Sequence, residues 1–262
     1  MLIDTHCHLT DEFCAAGEMD AVIARARDAG VGILICPGTT ADDIPKAIEI
    51  ADKYENIFCT VGVHPEYAKN EIDLAAAMPD SIFKNPKIVG VGEIGLDYHY
   101  GTDDRTQQMN LFERQLDIAR RAGLPVAIHS RDAEEDTAAI LGDSVRGVMH
   151  CFTGSWDFAE KMLDSGWFFS ASGILTFKNS AELRDTFAKI PIDKIVIETD
   201  SPFCAPVPFR GKSCEPAMIT ETARVLAEIK NISLSELESV LAENTGRLYP
   251  RILQKSCVDD KK

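Results

Sequence analysis

Short apolar runs rich in β-branched residues recur along the chain, each bounded by glycine, proline or polar turns, with longer helix-like stretches between them. The runs span Leu2–His8, Gly32–Pro37, Ile57–His64, Ile88–Leu96, Pro125–Ser130, Gly147–Thr153, Phe168–Leu175 and Lys194–Asp200. Helices are expected over Glu18–Ala29, Ala41–Lys53, Arg105–Ala122 and Trp156–Asp164. Within the third of these, Met109, Phe112, Leu116 and Ala119 recur at spacings of three and four, the stripe of a helix packed on one face. Gly123 then ends it and Pro125 opens the next strand. Strand-then-helix alternation implies a parallel sheet, because parallel neighbours need a crossover. Eight such units predict closure into a (β/α)8 TIM barrel. No Gly/Ser-rich linker, charge block or low-complexity segment divides the chain, so one domain over 1–262 is expected, with a short polar tail over 250–262 that frays.

Composition fits this reading. The 262 residues are 45% hydrophobic and 26% charged, ordinary values for a folded globular chain. MLIDTHCHLTDEF lacks the basic and apolar regions of an export signal, and no apolar run reaches the roughly 18 residues of a membrane span, so no membrane association is expected. The eight cysteines are scattered with no C-x-x-C pair, and several fall in apolar runs where a free thiol packs as a small hydrophobe. A reducing cytoplasm is the expectation. A net charge of −15 excludes a broad basic footprint for coating nucleic acid. A metal centre can still bind a phosphate locally.

The candidate chemistry stands at the ends of the apolar runs, where a parallel barrel carries its active-site loops. His6 and His8 are two apart, so in an extended strand both point the same way and Cys7 points to the other face. Glu93 lies among glycines and apolar residues in IVGVGEIGLD, where a buried carboxylate needs a cation or a proton. His129 ends the apolar part of AIHSR, His150 sits in VMHCF, and Asp200 closes IVIETD. Four imidazoles and two carboxylates suffice for two divalent ions, with Glu93 between them. Gly90, Gly92 and Gly95 formally satisfy G-x-G-x-x-G, but no helix follows them and Glu93 would repel a pyrophosphate, so a dinucleotide fold is rejected.

The motifs THCHL, GVHP, GEIGLDY, HSRDA, HCFTGS, ETDSP and NTGRLYP, in this order over nearly the whole chain, resemble the TatD family of metal-dependent hydrolases. The resemblance implies an amidohydrolase-like barrel and phosphoester cleavage, with deoxyribonuclease activity of the 3′–5′ exonuclease type and DNA or another phosphoester as substrate. It also implies His6 and His8 on one metal, Glu93 between two, His129 and His150 on the second, and Asp200 at the first. Two departures are plain. Family members often read P-H-R-G followed by N-x-P, where this chain has Phe209 and Cys214.

The expected mechanism uses a metal-activated water, with Asp200 as general base and Glu93 bridging the ions. Histidines and carboxylates accommodate zinc, magnesium, manganese, nickel or iron alike. His64, Arg131, Asp97 and Tyr98 are expected near the substrate, Asp97 and Tyr98 either lining the pocket or orienting a ligand. His99 is expected to be a loop residue without a metal role. Phe152, Trp156 and Phe177 can stack on bases or pack in the core, and Arg210 and Lys212 are too few for a nucleic-acid surface. Two other readings stay open: the same metals cleaving a carboxyl ester, lactone, amide or aminoacyl-tRNA ester, and a noncatalytic metal-binding protein. No feature points to a protein partner.

Overall fold

The computed structural model describes residues 1–10, 18–70, 72–142 and 145–254. Eight parallel strands form one sheet in sequential order: β1 (Leu2–Asp4), β2 (Val31–Gly38), β3 (Ile57–Val61), β4 (Ile88–Asp97), β5 (Val126–Arg131), β6 (Gly147–Met149), β7 (Phe168–Ala171) and β8 (Ile195–Ile197). Bonds just beyond β1 and β8 close it. Ile197 O accepts from Thr5 N at 3.1 Å, His6 O from Asp200 N at 2.9 Å, and Ser201 O from His8 N at 2.8 Å. The buried Asp4 carboxylate strengthens the seam, accepting from Thr199 N at 2.9 Å and Thr199 Oγ1 at 2.6 Å.

Several strands are shorter than the apolar runs that announced them. The regular ladder in β1, β3, β6, β7 and β8 stops three or four residues before the run does. Past β1 the pairing continues as single bonds to neighbouring segments, and His6 and His8, two residues apart, both face Glu93.

Around the sheet lie α1 (Met19–Asp28), α2 (Ile44–Lys53), the single turn α3 (Leu74–Ala77), α4 (Arg105–Ala122), α5 (Glu134–Leu141), α6 (Trp156–Asp164), α7 (Ala181–Lys189), α8 (Ile219–Lys230), α9 (Leu234–Leu248) and α10 (Arg251–Gln254). Two apolar clusters result. The larger packs the helices on the sheet's outer face. The smaller takes Ile35, Phe58, Val89, Ala127, Val148 and Val196 from six strands and is completed by Leu248, Tyr249 and Ile252.

That completion corrects the expected frayed tail. α10 docks across the starts of the strands: Ile252 is buried, and Arg251 Nη1 donates to the carbonyls of Phe83, Asn85 and Ile88. The rest of the expected tail, 255–262, lies outside the described residues. No helix among the described residues is long and apolar enough to cross a membrane.

The glycines of the rejected nucleotide motif have a different task. They lie inside β4, and a Cβ on Gly95, whose φ is 141°, would fall 2.0 Å from His129 O. Only glycine permits this approach of β4 to β5. Between Val91 and Ile94 the register against β5 shifts, placing one extra residue on β4 in the Gly92–Glu93 step. Bulges of this kind re-aim side chains beside active sites.

Candidate metal centre

Glu93 is the hub. Its Oε2 lies 3.4 Å from His6 Nε2 and 3.9 Å from His8 Nε2, while its Oε1 lies 2.8 Å from His129 Nδ1, 3.2 Å from His150 Nε2 and 3.5 Å from His64 Nε2. One carboxylate thus faces His6 and His8 with one oxygen and His129, His150 and His64 with the other, while the His6 and His150 rings stack at 3.7 Å between the two sides. Asp200 Oδ1 joins from β8's end, 3.4 Å from His8 Nε2 and 3.9 Å from both His6 Nε2 and His150 Nε2. The six residues expected as ligands converge at one end of the barrel.

Buried carboxylates hold the rings from behind. His129 donates from Nε2 to Asp97 Oδ2 at 2.9 Å, and His150 Nδ1 lies 2.8 Å from Glu198 Oε1. Glu198 also accepts from Cys151 N at 2.7 Å, which fixes its position. A metal-ligating histidine commonly gives its other ring nitrogen to such a carboxylate. Asp97 stands in that position behind His129. Glu198 escaped notice in the sequence, although it too is a carboxylate at the end of an apolar run, two residues before Asp200.

Electrostatics divides the histidines. Burial pushes His6 down and His64 down to about 4, leaving both neutral near pH 7. Burial opposes charge on His129 as well, but its hydrogen bonds to Asp97 and Glu93 outweigh it and bring that ring up to about 9. His150 is likewise raised against its burial, by Glu198 and Glu93. In turn, Glu93 and Asp200 stay ionised despite burial: His150 and His64 foremost hold Glu93 low, His8 and His150 hold Asp200 low. Divalent ions fit here because the donors are all nitrogen or carboxylate oxygen and Glu93 offers one oxygen to each imidazole group.

His64 sits in this cluster but is turned differently. Its Nδ1 accepts from Glu66 N at 3.2 Å, which leaves the proton on Nε2 and makes Nε2 a donor toward the centre. This geometry sets His64 apart from the other rings around Glu93.

Beside His129 opens a cleft of about 640 Å³ lined by Tyr98, Arg105, Ser130 and Arg131, among others. Arg131 stacks its guanidinium 5.5 Å from the Tyr100 ring, and Tyr98 donates to Asp136 Oδ2 at 2.7 Å. His99 is exposed and pairs with Asp132 at 2.9 Å, outside the group gathered around Glu93. Of the aromatics considered for stacking, Phe152 is buried against Phe158, Phe169 and Phe187, a core role, while Phe177 is covered by the Arg210 guanidinium at 3.8 Å. Trp156 packs against the outer core, with Lys189 Nζ 5.0 Å over its ring. Cys214, one of the two departures, is fully buried, and its N–H donates to Pro202 O at 2.9 Å, so it fills space beneath the Asp200 loop.

A closed sequential barrel with histidines and carboxylates gathered at its strand ends defines a metal-dependent hydrolase of the amidohydrolase-like class. The model of the family described as TatD related DNase matches residues 3–250, and the chain belongs to the TatD family. It is 36% identical over 253 residues to the uncharacterized metal-dependent hydrolase YabD of Bacillus subtilis (strain 168), covering 95% of this chain and 99% of YabD. The crystal structure of YjjV, a TatD homologue from Escherichia coli K12, superposes with a TM-score of 0.87 at 32% identity, covering 95% of this chain and 98% of that one. An uncharacterized amidohydrolase from Saccharomyces cerevisiae shares the fold at a TM-score of 0.78 and 18% identity, over 95% of this chain and 99% of that one.

Proposed function

We propose that this hydrolase cleaves phosphodiester bonds in DNA as a 3′–5′ exonuclease, with two divalent ions held by His6, His8, Glu93, His129, His150 and Asp200. The observation that carries the reading is Glu93, whose two oxygens face different imidazole groups. The family's description as a DNase supports the choice of bond. When bound, such ions lower the pKa of water to about 7 and offset charge on the attacking and leaving oxygens.

The chain's own residues supply the rest. Asp200 accepts the proton of the attacking water, and its ionised state suits it to that task. Glu93 would hold both ions, one through each carboxylate oxygen. Asp97 and Glu198 hold His129 and His150 in fixed orientations. His64 donates from Nε2 to a phosphate oxygen, and Arg131 and Tyr98 in the adjoining cleft meet the substrate further out. Because the chain is strongly acidic, the local positive charge for a phosphate would come from ions held by these residues rather than from the surrounding surface.

Purified, metal-loaded protein should release 5′-nucleotides from single-stranded DNA. A panel of lactone, amide and aminoacyl ester substrates serves as the comparison. Turnover of those compounds with none of DNA overturns the phosphodiesterase reading.

A further inference from the structure

Beside the histidine centre, on the far side of Asp200, two thiols converge. Cys151 follows His150 at the end of β6, and Cys204 lies in the loop after Asp200, 53 residues away in sequence but adjacent in space. The two sulfurs and an Asp200 carboxylate oxygen all lie within 4.8 Å of one another. Asp200 is divided between two environments: Oδ1 faces His6, His8 and His150, whereas Oδ2 lies 3.5 Å from Cys204 Sγ.

We propose that Cys151, Cys204 and Asp200 form a further metal site, distinct from the histidine centre and joined to it through Asp200, that takes a thiophilic divalent cation such as zinc or cadmium.

The spacing suits the chemistry. With metal–sulfur and metal–oxygen distances of about 2.3 and 2.0 Å, a tetrahedral ion holds a sulfur and an oxygen ligand about 3.5 Å apart. That is the separation of Cys204 Sγ and Asp200 Oδ2, 3.5 Å. The donor type also separates the two sites: the histidine centre offers nitrogen and oxygen, this one two sulfurs and an oxygen, and soft thiolates select soft cations. The backbone is bent to bring the donors together. Cys151, Asp200 and Cys204, with φ of 41°, 57° and 53°, are three of the five non-glycine residues with positive φ among the described residues. Such conformations persist where surrounding structure enforces them.

Binding forms two metal–sulfur bonds and releases the two thiol protons to solvent, with no change of oxidation state. The thiols start in neutral hydrogen bonds, Cys151 Sγ donating to Ser172 Oγ at 3.2 Å and Cys204 Sγ to Asp200 Oδ2 at 3.5 Å.

The test is cobalt titration of the full chain after metal stripping and thiol reduction. The wild type is expected to develop a sulfur-to-cobalt charge-transfer band in the near ultraviolet and to bind one more equivalent than Cys204→Ser or Cys151→Ser. Both variants should lose the band while keeping the visible spectrum of cobalt at the histidine centre, which separates failure of this site from failure of that one. No sulfur band in the wild type, or an undiminished band in Cys204→Ser, overturns the proposal. Should a serine variant fail to fold, X-ray absorption on the cadmium-loaded wild type decides: sulfur neighbours support the site, and nitrogen and oxygen neighbours alone refute it. A pair that isolates as a disulfide and, once reduced, takes up no thiolate-bound cobalt belongs to redox chemistry and also refutes it.

Discussion

Gln115, on the inner face of α4, holds both main-chain polar groups of Val63: its Oε1 accepts from Val63 N at 2.7 Å and its Nε2 donates to Val63 O at 2.9 Å. Two turns earlier, Gln108 does the same for Asp97, accepting from its N and donating to its O, each at 2.8 Å. One helix thus pins the backbone next to His64 and at the residue that orients His129. Replacing Gln115 by leucine leaves a buried N–H and C=O without partners, and should cost about 2–4 kcal/mol of stability by urea denaturation. A loss below about 0.5 kcal/mol, the range of surface changes, would show that the clamp carries little.

Asp97 and Glu198 touch ring nitrogens that face away from the proposed ions. Asp97→Asn and Glu198→Gln keep the ligand set but weaken its hold on His129 and His150. Each should lower metal affinity about 10- to 100-fold, measured by competition with a chromophoric chelator. Wild-type affinity in both variants would mean that the rings need no support from behind.

His64 separates donor from ligand. With its proton on Nε2, His64→Phe should leave the metal content unchanged and reduce kcat/KM on DNA by about 100-fold. Loss of bound metal in that variant would make His64 a ligand and undo the tautomer argument.

The buried thiols offer a check on the barrel itself. Burial pushes Cys59 up to about 12, and it raises Cys36 and Cys214 further. At pH 9 an exposed thiol is substantially ionised and reactive, whereas these three stay neutral and enclosed. Mass mapping after treatment with a maleimide at pH 9 should find them unmodified in the native protein and modified after denaturation. Rapid native labelling at any of the three would contradict the packing.

Much of the site is legible in the sequence because strand periodicity is strict. His6 and His8 two residues apart share a face whatever the ladder does, and a carboxylate amid the glycines of IVGVGEIGLD has few other reasons to be there. Other parts were hidden for physical reasons. The same argument that selected Asp200 applies to Glu198, two residues earlier, and regular pleating would put both on one face; the chain past β8 is irregular, with Asp200 at a φ of 57°, and Glu198 comes to lie behind His150 instead. Gln108 and Gln115 stand on the buried face of α4 in line with Phe112 and Ala119, but a polar residue there does not itself mark which backbone it will clamp. Cys204 reads as an isolated cysteine, since its partner comes from another strand. The boundary at Tyr249 misled because a short polar tail gives no sign that Arg251 will find three carbonyls at the barrel's base.

The measurement closest to the central claim is metal-dependent turnover of single-stranded DNA by stripped and reloaded protein, beside Glu93→Ala treated identically. The account predicts that chelation abolishes nucleotide release, that divalent metal restores it in the wild type, and that no metal restores it in Glu93→Ala, whose two imidazole groups no longer share a carboxylate. Release at the wild-type rate by reloaded Glu93→Ala, or by the stripped wild type, would contradict it.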